Sequence, residues 1–318
     1  AQRAGHGGRV MDQSALLAVV LTIVTASTPL LLAALGELVT ERAGVLNLGV
    51  EGMMVMGAVA GFAVALTTGS PYLGIVAAAL AGAALAVPFG VLTLNLVANQ
   101  VATGLALTLL GLGLSGLIGE RFVGQPGVRL QKLAIPGLSD IPFVGPILFG
   151  QDLLVYLSLA LAVAVSLVIF KSRVGLILRA VGDNHASAHA LGYSVIRVRW
   201  AAVLFGGALS GLGGGYLSLA YTPQWIENMT AGRGWIALAL VVFSSWLPSR
   251  LVIGAYLFGA VTILGFFVQG LGVGVPAQLL SSLPYVVTIA ALVVISTRRG
   301  KARADTPACL GQPFVPDR

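Results

Sequence analysis

The chain alternates long apolar runs with short polar segments. Not one Asp, Glu, Lys or Arg occurs between Gly52 and Gly119, whereas one membrane-spanning helix needs only about 20 apolar residues. Apolar runs occupy residues 14–36, 45–67, 73–97, 101–119, 151–170, 200–221, 233–246, 250–270 and 283–297. The pattern predicts an all-α, polytopic helical membrane bundle with about 9–10 transmembrane segments, some of them broken or re-entrant.

The composition supports a membrane bundle, because 57% of the residues are hydrophobic and 9% are charged, against about 25% charged in a soluble domain. The 42 glycines predict helices in close contact. Small residues recur at every fourth position, as Gly111, Ser115 and Gly119 in one run and as Gly206, Ser210 and Gly214, with Gly207, Gly211 and Gly215 alongside, in another.

We interpret residues 11–298 as one transmembrane domain. Residues 1–10 form a polar N-terminal extension before Met11, the expected natural start, and residues 299–318 form a polar tail.

The basic residues predict the orientation of the bundle. They cluster in the segment 171–199, where Asp183 is the one acid, and again directly after the last apolar run. Because basic residues concentrate on the cytoplasmic side of membranes, we expect both segments, and hence the C-terminus, to be cytoplasmic. The loop 120–150 is then outside, and so is the N-terminus if all earlier runs cross fully. The net charge of +7 therefore indicates orientation and predicts no nucleic-acid partner.

Enzymatic chemistry has little support in the sequence. There is no Gly-x-x-x-x-Gly-Lys-Ser/Thr loop to hold ATP phosphates. Cys309 is the one cysteine, which excludes an intrachain disulfide and cysteine-based metal patterns. His185 and His189 are four residues apart but have no third ligand nearby. We expect no catalytic residue, cofactor or metal site.

The stretch "ERAGVLNLGVEGMM" (41–54) places polar residues at the start of the second apolar run. Three glycines (Gly44, Gly49, Gly52) surround Asn47 and Glu51, so we expect a broken or re-entrant span here. Asn47 and Glu51 are four residues apart and would share one face of a helix. Because an ionisable residue inside a membrane usually marks function, we predict that both line the substrate pathway. The alternative is that Glu51 only caps a helix at the level of the lipid headgroups.

A second polar group lies around residues 95–103. Asn95, Asn99 and Thr103 would form a stripe along the pathway if the chain stays helical, and Gln100 adjoins them. If residues 97–101 instead form a turn, Asn99 and Gln100 only satisfy backbone groups.

A short apolar run from Arg233 to Trp246 would give about 21 Å of helix, less than the roughly 30 Å hydrocarbon core. We predict a half-helix beginning at Arg233, with its positive end toward the pathway. Trp225 and Glu227 precede it as an outer cluster, which would line the vestibule or meet a binding protein. An interfacial aromatic belt explains Trp225 equally well.

Four stretches together carry a family resemblance. They are "PLLLAALGELVTERAGVLNLGVEGMMVMGA" (29–58), "NQVATGLALTLLGLGLSGLIG" (99–119), "GLILRAVGDNHASAHALGYSV" (175–195) and "GRGWIALALVVFSSWLP" (232–248). The chain resembles the permease subunits of bacterial ABC importers for nucleosides and simple sugars, within the group that includes branched-chain amino acid and ribose permeases. One departure is that the family suggests a glycine where Ser244 or Ser245 stands.

The resemblance implies that ATP is hydrolysed by separate ABC ATPase subunits, which act on a cytoplasmic coupling helix. It assigns this coupling role to Arg179, Gly182, Asp183, Asn184, Ala188, Ala190 and Gly192. Asp183 or Asn184 can cap a short helix through Ala190, and Gly192 can stop it. The resemblance also implies a bacterial inner membrane, a second related permease in a heterodimer, and a periplasmic or lipoprotein substrate-binding protein.

We expect the solute to be a purine or pyrimidine nucleoside. A simple sugar such as a pentose, or a branched-chain amino acid, is the alternative within the same family. An ion-coupled secondary transporter would need buried titratable groups, and the spans after residue 52 have almost none. A membrane scaffold without transport is the third class.

Overall fold

The computed structural model describes residues 13–133, 136–270, 276–297 and 306–315. The helices are α1 (Gln13–Arg42), α2 (Val50–Thr68), α3 (Pro71–Gly90), α4 (Gln100–Gly119), α5 (Val144–Phe149), α6 (Leu153–Lys171), α7 (Arg173–Asp183), α8 (His185–Ala190), α9 (Val195–Tyr216), α10 (Arg233–Phe243), α11 (Pro248–Gly270) and α12 (Ala277–Thr297). Short π-helical turns, Val91–Asn95 and Leu217–Tyr221, extend α3 and α9.

The described helices confirm the predicted polytopic helical bundle. Seven of them are long and apolar enough to cross a membrane. They match seven of the nine apolar runs. The run at 233–246 forms the short helix α10, and the run at 283–297 lies within α12. The N-terminal extension 1–10 lies outside the described residues.

Helix α9 is the centre of the bundle and packs against α1, α2 and α3 through glycine. A Cβ atom added to Gly211 would overlap the carbonyl oxygen of Ala78 on α3, and one added to Gly57 on α2 would overlap Gly211. Gly206 faces Thr40 of α1 in the same way. The small residues at four-residue spacing therefore serve backbone contact, as their pattern predicts.

We expect Gly214→Ala to destabilise the protein and Gly113→Ala to leave it unchanged or slightly more stable. A methyl group at Gly214 would overlap the carbonyl oxygen of Met54, which is backbone and cannot rotate away. Apart from the backbone of its own helix and its chain neighbours, no atom of the described residues lies within 4 Å of a Cβ at Gly113. Overpacking of this kind costs about 1–3 kcal/mol, while alanine is the better helix former. Thermal unfolding in detergent, followed by tryptophan fluorescence, checks this. Equal midpoints for the two variants would contradict it.

Segments distant in sequence meet at one end of the bundle. Helices α7 and α8, the turn between α1 and α2, and residues 306–315 all lie there. The backbone N–H of Cys309 donates to the Gly182 oxygen at 2.8 Å, and that of Gly311 donates to the Gly44 oxygen at 3.1 Å. The basic segment 171–199 and the C-terminal segment thus share one end. That this end is cytoplasmic stays a prediction.

Candidate functional site

The predicted break in the second span is present. Residues 45–49 are not helical, and α2 begins at Val50. Asn47 therefore precedes the helix and does not share a helical face with Glu51, contrary to the expectation from their four-residue spacing. Its side chain is fully buried, and its Oδ1 accepts from the Gly49 N–H at 2.9 Å. This bond fixes the non-helical backbone just before α2 starts.

Glu51, in the first turn of α2, bonds to the beginning of the half-helix α10. Its Oε1 accepts from the Thr230 hydroxyl at 2.6 Å and from the Gly232 N–H at 2.8 Å, and its Oε2 accepts from the Gly234 N–H at 2.5 Å. The side chain is 3% exposed. A Cβ at Gly234 would meet the Glu51 backbone at 2.5 Å, so the close approach requires glycine. A carboxylate suits this place because the first N–H groups of a helix have no partners within it and carry partial positive charge.

The short helix α10 confirms the predicted half-helix, since its 11 residues extend only about 16 Å. Its positive end contacts the Glu51 carboxylate, and that this end faces the pathway stays a prediction. Its other end is also held by the 41–51 stretch. The Trp246 indole N–H donates to Glu41 at 2.5 Å, and the Arg42 guanidinium donates to the Trp246 carbonyl at 2.9 and 3.2 Å.

Residues 41–51 thus hold α10 at both ends, and we call this arrangement the α10 clamp. Glu41, Arg42 and Glu51 of "ERAGVLNLGVE" thus attach α10 to the rest of the apolar bundle. Ser245 and Trp246 lie just after the end of α10, and their φ angles are 53° and 56°. A glycine adopts that backbone at less cost, which gives a conformational reason for the glycine that the family suggests near Ser245.

Glu37 and Arg199 are two buried charged residues that the sequence reasoning missed. Glu37 is 1% exposed in α1, and its Oε1 accepts from the Asn47 N–H at 3.0 Å. Its Oε2 has no hydrogen-bond partner among the described residues. Arg199 is 1% exposed, and its Nε donates to the Ala43 oxygen at 3.1 Å, at the end of the bundle where α7 and α8 lie. The available signal for Glu37 was a carboxylate directly after the apolar run 14–36 and four residues before Glu41.

The stripe predicted at 95–103 does not form, and the alternative, a turn, is what the structure contains. The π-helical turn ends at Asn95, Val97 has φ at 59°, and α4 starts at Gln100. The Asn99 side chain caps α4 by accepting from the Ala102 N–H at 3.0 Å.

The remaining polar side chains near that turn also contact protein groups. Asn95 accepts from the Trp200 indole at 2.9 Å. Gln100 is buried, and its Oε1 accepts from the Leu46 N–H at 2.8 Å beside the α10 clamp. Thr103 is buried within the bundle on α4.

The predicted outer cluster before α10 divides into a core residue and exposed ones. Trp225 is 1% exposed and packs against Gly119, so it is neither part of an aromatic belt nor available to a binding protein. Glu227 is exposed. The half-buried Arg233 lies 5.7 Å from the centre of the Tyr221 ring and donates to two backbone oxygens of the preceding turn.

The short helix predicted after Asn184 is present as α8, and its coupling role stays a prediction. The Asn184 side chain caps it by accepting from the Ser187 N–H at 2.9 Å, and Gly192 has φ at 87° beyond its end. Ala188 is buried against Val181 and Val195. Only Ala190 of the two predicted alanines is exposed, so Ala188 does not belong to a docking face.

The other predicted coupling residues, Arg179, Gly182 and Asp183, lie in α7, the helix that precedes α8. Gly182 abuts the Arg42 carbonyl so closely that a Cβ there would overlap it. The Arg179 guanidinium lies 5.5 Å from the centre of the Phe170 ring. Asp183 is exposed at the end of α7, directly before the cap.

The sequence of the chain is similar to known membrane transport proteins. The family model described as the permease component of branched-chain amino acid transport systems matches residues 19–295. A provisionally assigned glucose ABC transporter permease of Haloferax volcanii is 39% identical over 92% of this chain and 95% of its own length. No solved structure matches the chain.

Two bacterial relatives are similar over nearly their whole length. The nucleoside ABC transporter permease of Lactococcus lactis is 33% identical over 90% of this chain and 93% of its own length. The guanosine ABC transporter permease of Bacillus subtilis is 32% identical over 96% of this chain and 99% of its own length. The chain therefore belongs to the permease-component family of branched-chain amino acid transport systems and is an ABC transporter permease.

Proposed function

We propose that the chain forms part of the translocation pathway of a nucleoside importer, driven by separate ATPase subunits that dock on α8. The proposed substrate rests on the similarity to two bacterial permeases, one named for nucleosides and one for guanosine, over at least 90% of this chain. A polar, hydroxyl-rich solute needs a pathway wall that contains polar groups, which an all-apolar bundle does not offer.

The α10 clamp is our candidate for the moving part of that pathway. Glu51 bonds to the start of α10. Asn47 bonds to the Gly49 N–H and fixes the backbone that leads to Glu51, so neither side chain faces open space in this conformation. A half-helix held by hydrogen bonds at both ends can shift as a unit when one set of bonds changes. Arg233 and Glu227, at the outer side of α10, remain candidates for the vestibule.

The docking surface for the ATPase comprises the exposed face of α8 and the residues that follow it. Ala190 is exposed, and the next residue, Leu191, is 76% exposed at the same end of the bundle. Tyr193 adds a 42% exposed aromatic ring. An apolar patch at the end of a membrane bundle lies beyond the lipid and favours a protein partner. The basic segment 171–199 favours the cytoplasmic side for this surface, together with the C-terminus.

A second, related permease completes the proposed transporter. In Haloferax volcanii two different glucose permeases are similar to this chain, at 39% and 29% identity. Two distinct permeases for one solute in one cell favour a heterodimer for the present chain as well. A substrate-binding protein, periplasmic or lipid-anchored, would meet the opposite end, which carries the loop 120–150.

A sugar is the second candidate solute. The 39% identity to the glucose permease exceeds the 33% and 32% to the nucleoside permeases. In such systems the separate binding protein selects much of the substrate, so the permease alone discriminates weakly.

We expect vesicles that contain the whole complex to take up labelled guanosine only when ATP is inside. Excess unlabelled guanosine should compete, and excess glucose should not. Purification through a tag on this chain should yield an ATPase and a second permease. Competition by glucose alone would favour the sugar permease. Uptake that follows an ion gradient without any ATPase would contradict the ABC mechanism.

A further inference from the structure

The C-terminal segment is packed onto the coupling region, although its sequence contains no apolar run. We call residues 306–314 the strap. The Cys309 N–H donates to Gly182 at the end of α7, at 2.8 Å, and the Gly311 N–H donates to Gly44 in the turn before α2, at 3.1 Å. Backbone bonds of this kind fix the course of a segment irrespective of its side chains. The strap therefore bridges α7 and the turn that begins the α10 clamp.

One buried guanidinium connects the strap, α8 and that same turn. Arg199 at the start of α9 donates through Nε to the Ala43 oxygen at 3.1 Å and through Nη1 to the Gln312 oxygen at 3.0 Å. Its Nη2 lies 3.3 Å from Nδ1 of His185 in α8. The fork geometry of arginine lets one side chain hold three partners at fixed angles. A lysine has a single nitrogen and cannot reproduce this arrangement.

Phe314 at the end of the strap contacts both histidines of α8. Its ring centre lies 5.2 Å from that of His185 and 5.3 Å from that of His189, and both pairs are edge-on. Burial and the nearby Arg199 charge lower the pKa of His185, so the ring is neutral at neutral pH and accepts from Arg199. Edge-on contacts of this kind are favourable because the positive edge of one ring meets the negative face of the other. The strap thus packs against the face of α8 on which both histidines lie.

We propose that the strap transmits movement of α8 to the α10 clamp. A displacement of α8 pulls on Phe314, the strap pulls on Gly44, and Gly44 leads directly into residues 45–51 and the Glu51 bonds to α10. Every step is a contact in the structure. The inference deepens the proposed function and rests on the assignment of α8 as the ATPase docking helix.

The test measures how much guanosine enters per ATP hydrolysed in vesicles with the complete transporter. Phe314→Ala should leave ATPase binding intact and hydrolysis within about twofold, while uptake per ATP falls about tenfold, a usual size for coupling between two sites. Deletion of residues 306–318 should lower the ratio at least as far. Phe314→Tyr, which keeps the ring, should restore it. Tyr72→Ala serves as the control and should keep the wild-type ratio, because Tyr72 is an exposed aromatic side chain in the first turn of α3.

Two results overturn the proposal, and they differ. If Phe314→Ala and the deletion both keep the wild-type ratio, the strap is not a transmitter even though α8 docks the ATPase. If the unmodified chain binds no ATPase, the proposed function fails and the strap proposal fails with it. Because a structural defect would lower assembly and hydrolysis together, the ratio separates uncoupling from misfolding.

Discussion

Glu51→Leu is expected to lower guanosine uptake by at least about tenfold, because it removes the acceptor of three hydrogen bonds at the start of α10. Thr230, Gly232 and Gly234 would each lose a buried partner. A bond to a charged group contributes about 1.5–3 kcal/mol, and a buried donor left without an acceptor costs about 1–3 kcal/mol. Leucine supplies no acceptor, so α10 would lose one of its two attachments. ATPase co-purification should persist, since the substitution leaves the exposed residues of α8 unchanged.

A graded series distinguishes a lost clamp from a general defect. Glu51→Gln keeps one acceptor oxygen but presents N–H to the Gly234 N–H, so its uptake should lie between leucine and wild type. Asn47→Leu removes the bond to the Gly49 N–H and should have a milder effect. Thr67→Leu changes an exposed polar side chain at the other end of α2 and should transport normally. If Glu51→Leu transports at the wild-type rate at matched membrane abundance, transport does not need the Glu51 carboxylate, and the clamp proposal is wrong.

The sequence predicted the bundle because a transmembrane helix must satisfy its own backbone, which leaves long apolar runs as its signature. The same reasoning predicted the half-helix α10 from its length and the break before α2 from its glycines. It did not predict that these two features meet. Glu51 and Gly234 are far apart in the chain, and no local pattern encodes a contact at that separation.

Three failures have local physical reasons. The stripe Asn95–Asn99–Thr103 required an uninterrupted helix, and the left-handed backbone of Val97 has no signature in a valine. Ala188 and Ala190 look alike in a six-residue helix, which is too short for periodicity to indicate its buried face. The strap is held largely by backbone bonds and by Arg199, so its polar sequence predicted only a tail.

Ala190→Arg is expected to abolish uptake and ATPase co-purification while the chain still inserts at normal abundance. Ala190 is exposed at the end of α8, and a short helix with a small-residue face fits a groove of its partner. An arginine there would prevent that approach by bulk and by charge, yet it would remain in water and would not strain the permease itself. Its thermal unfolding midpoint should therefore equal that of the wild type.

Ala188→Arg should also abolish uptake, but for a different reason that a second measurement reveals. Ala188 is 2% exposed between Val181 and Val195, so an arginine would place a charge in an apolar contact and displace α8 from its support. This variant should unfold at lower temperature and its segment 171–199 should be cleaved faster by protease, whereas Ala190→Arg should resist as the wild type does. Ala102→Arg, an exposed alanine in the first turn of α4, should transport normally. If Ala190→Arg transports at the wild-type rate, the ATPase does not dock on α8, and the exposed Leu191 and Tyr193 need another partner.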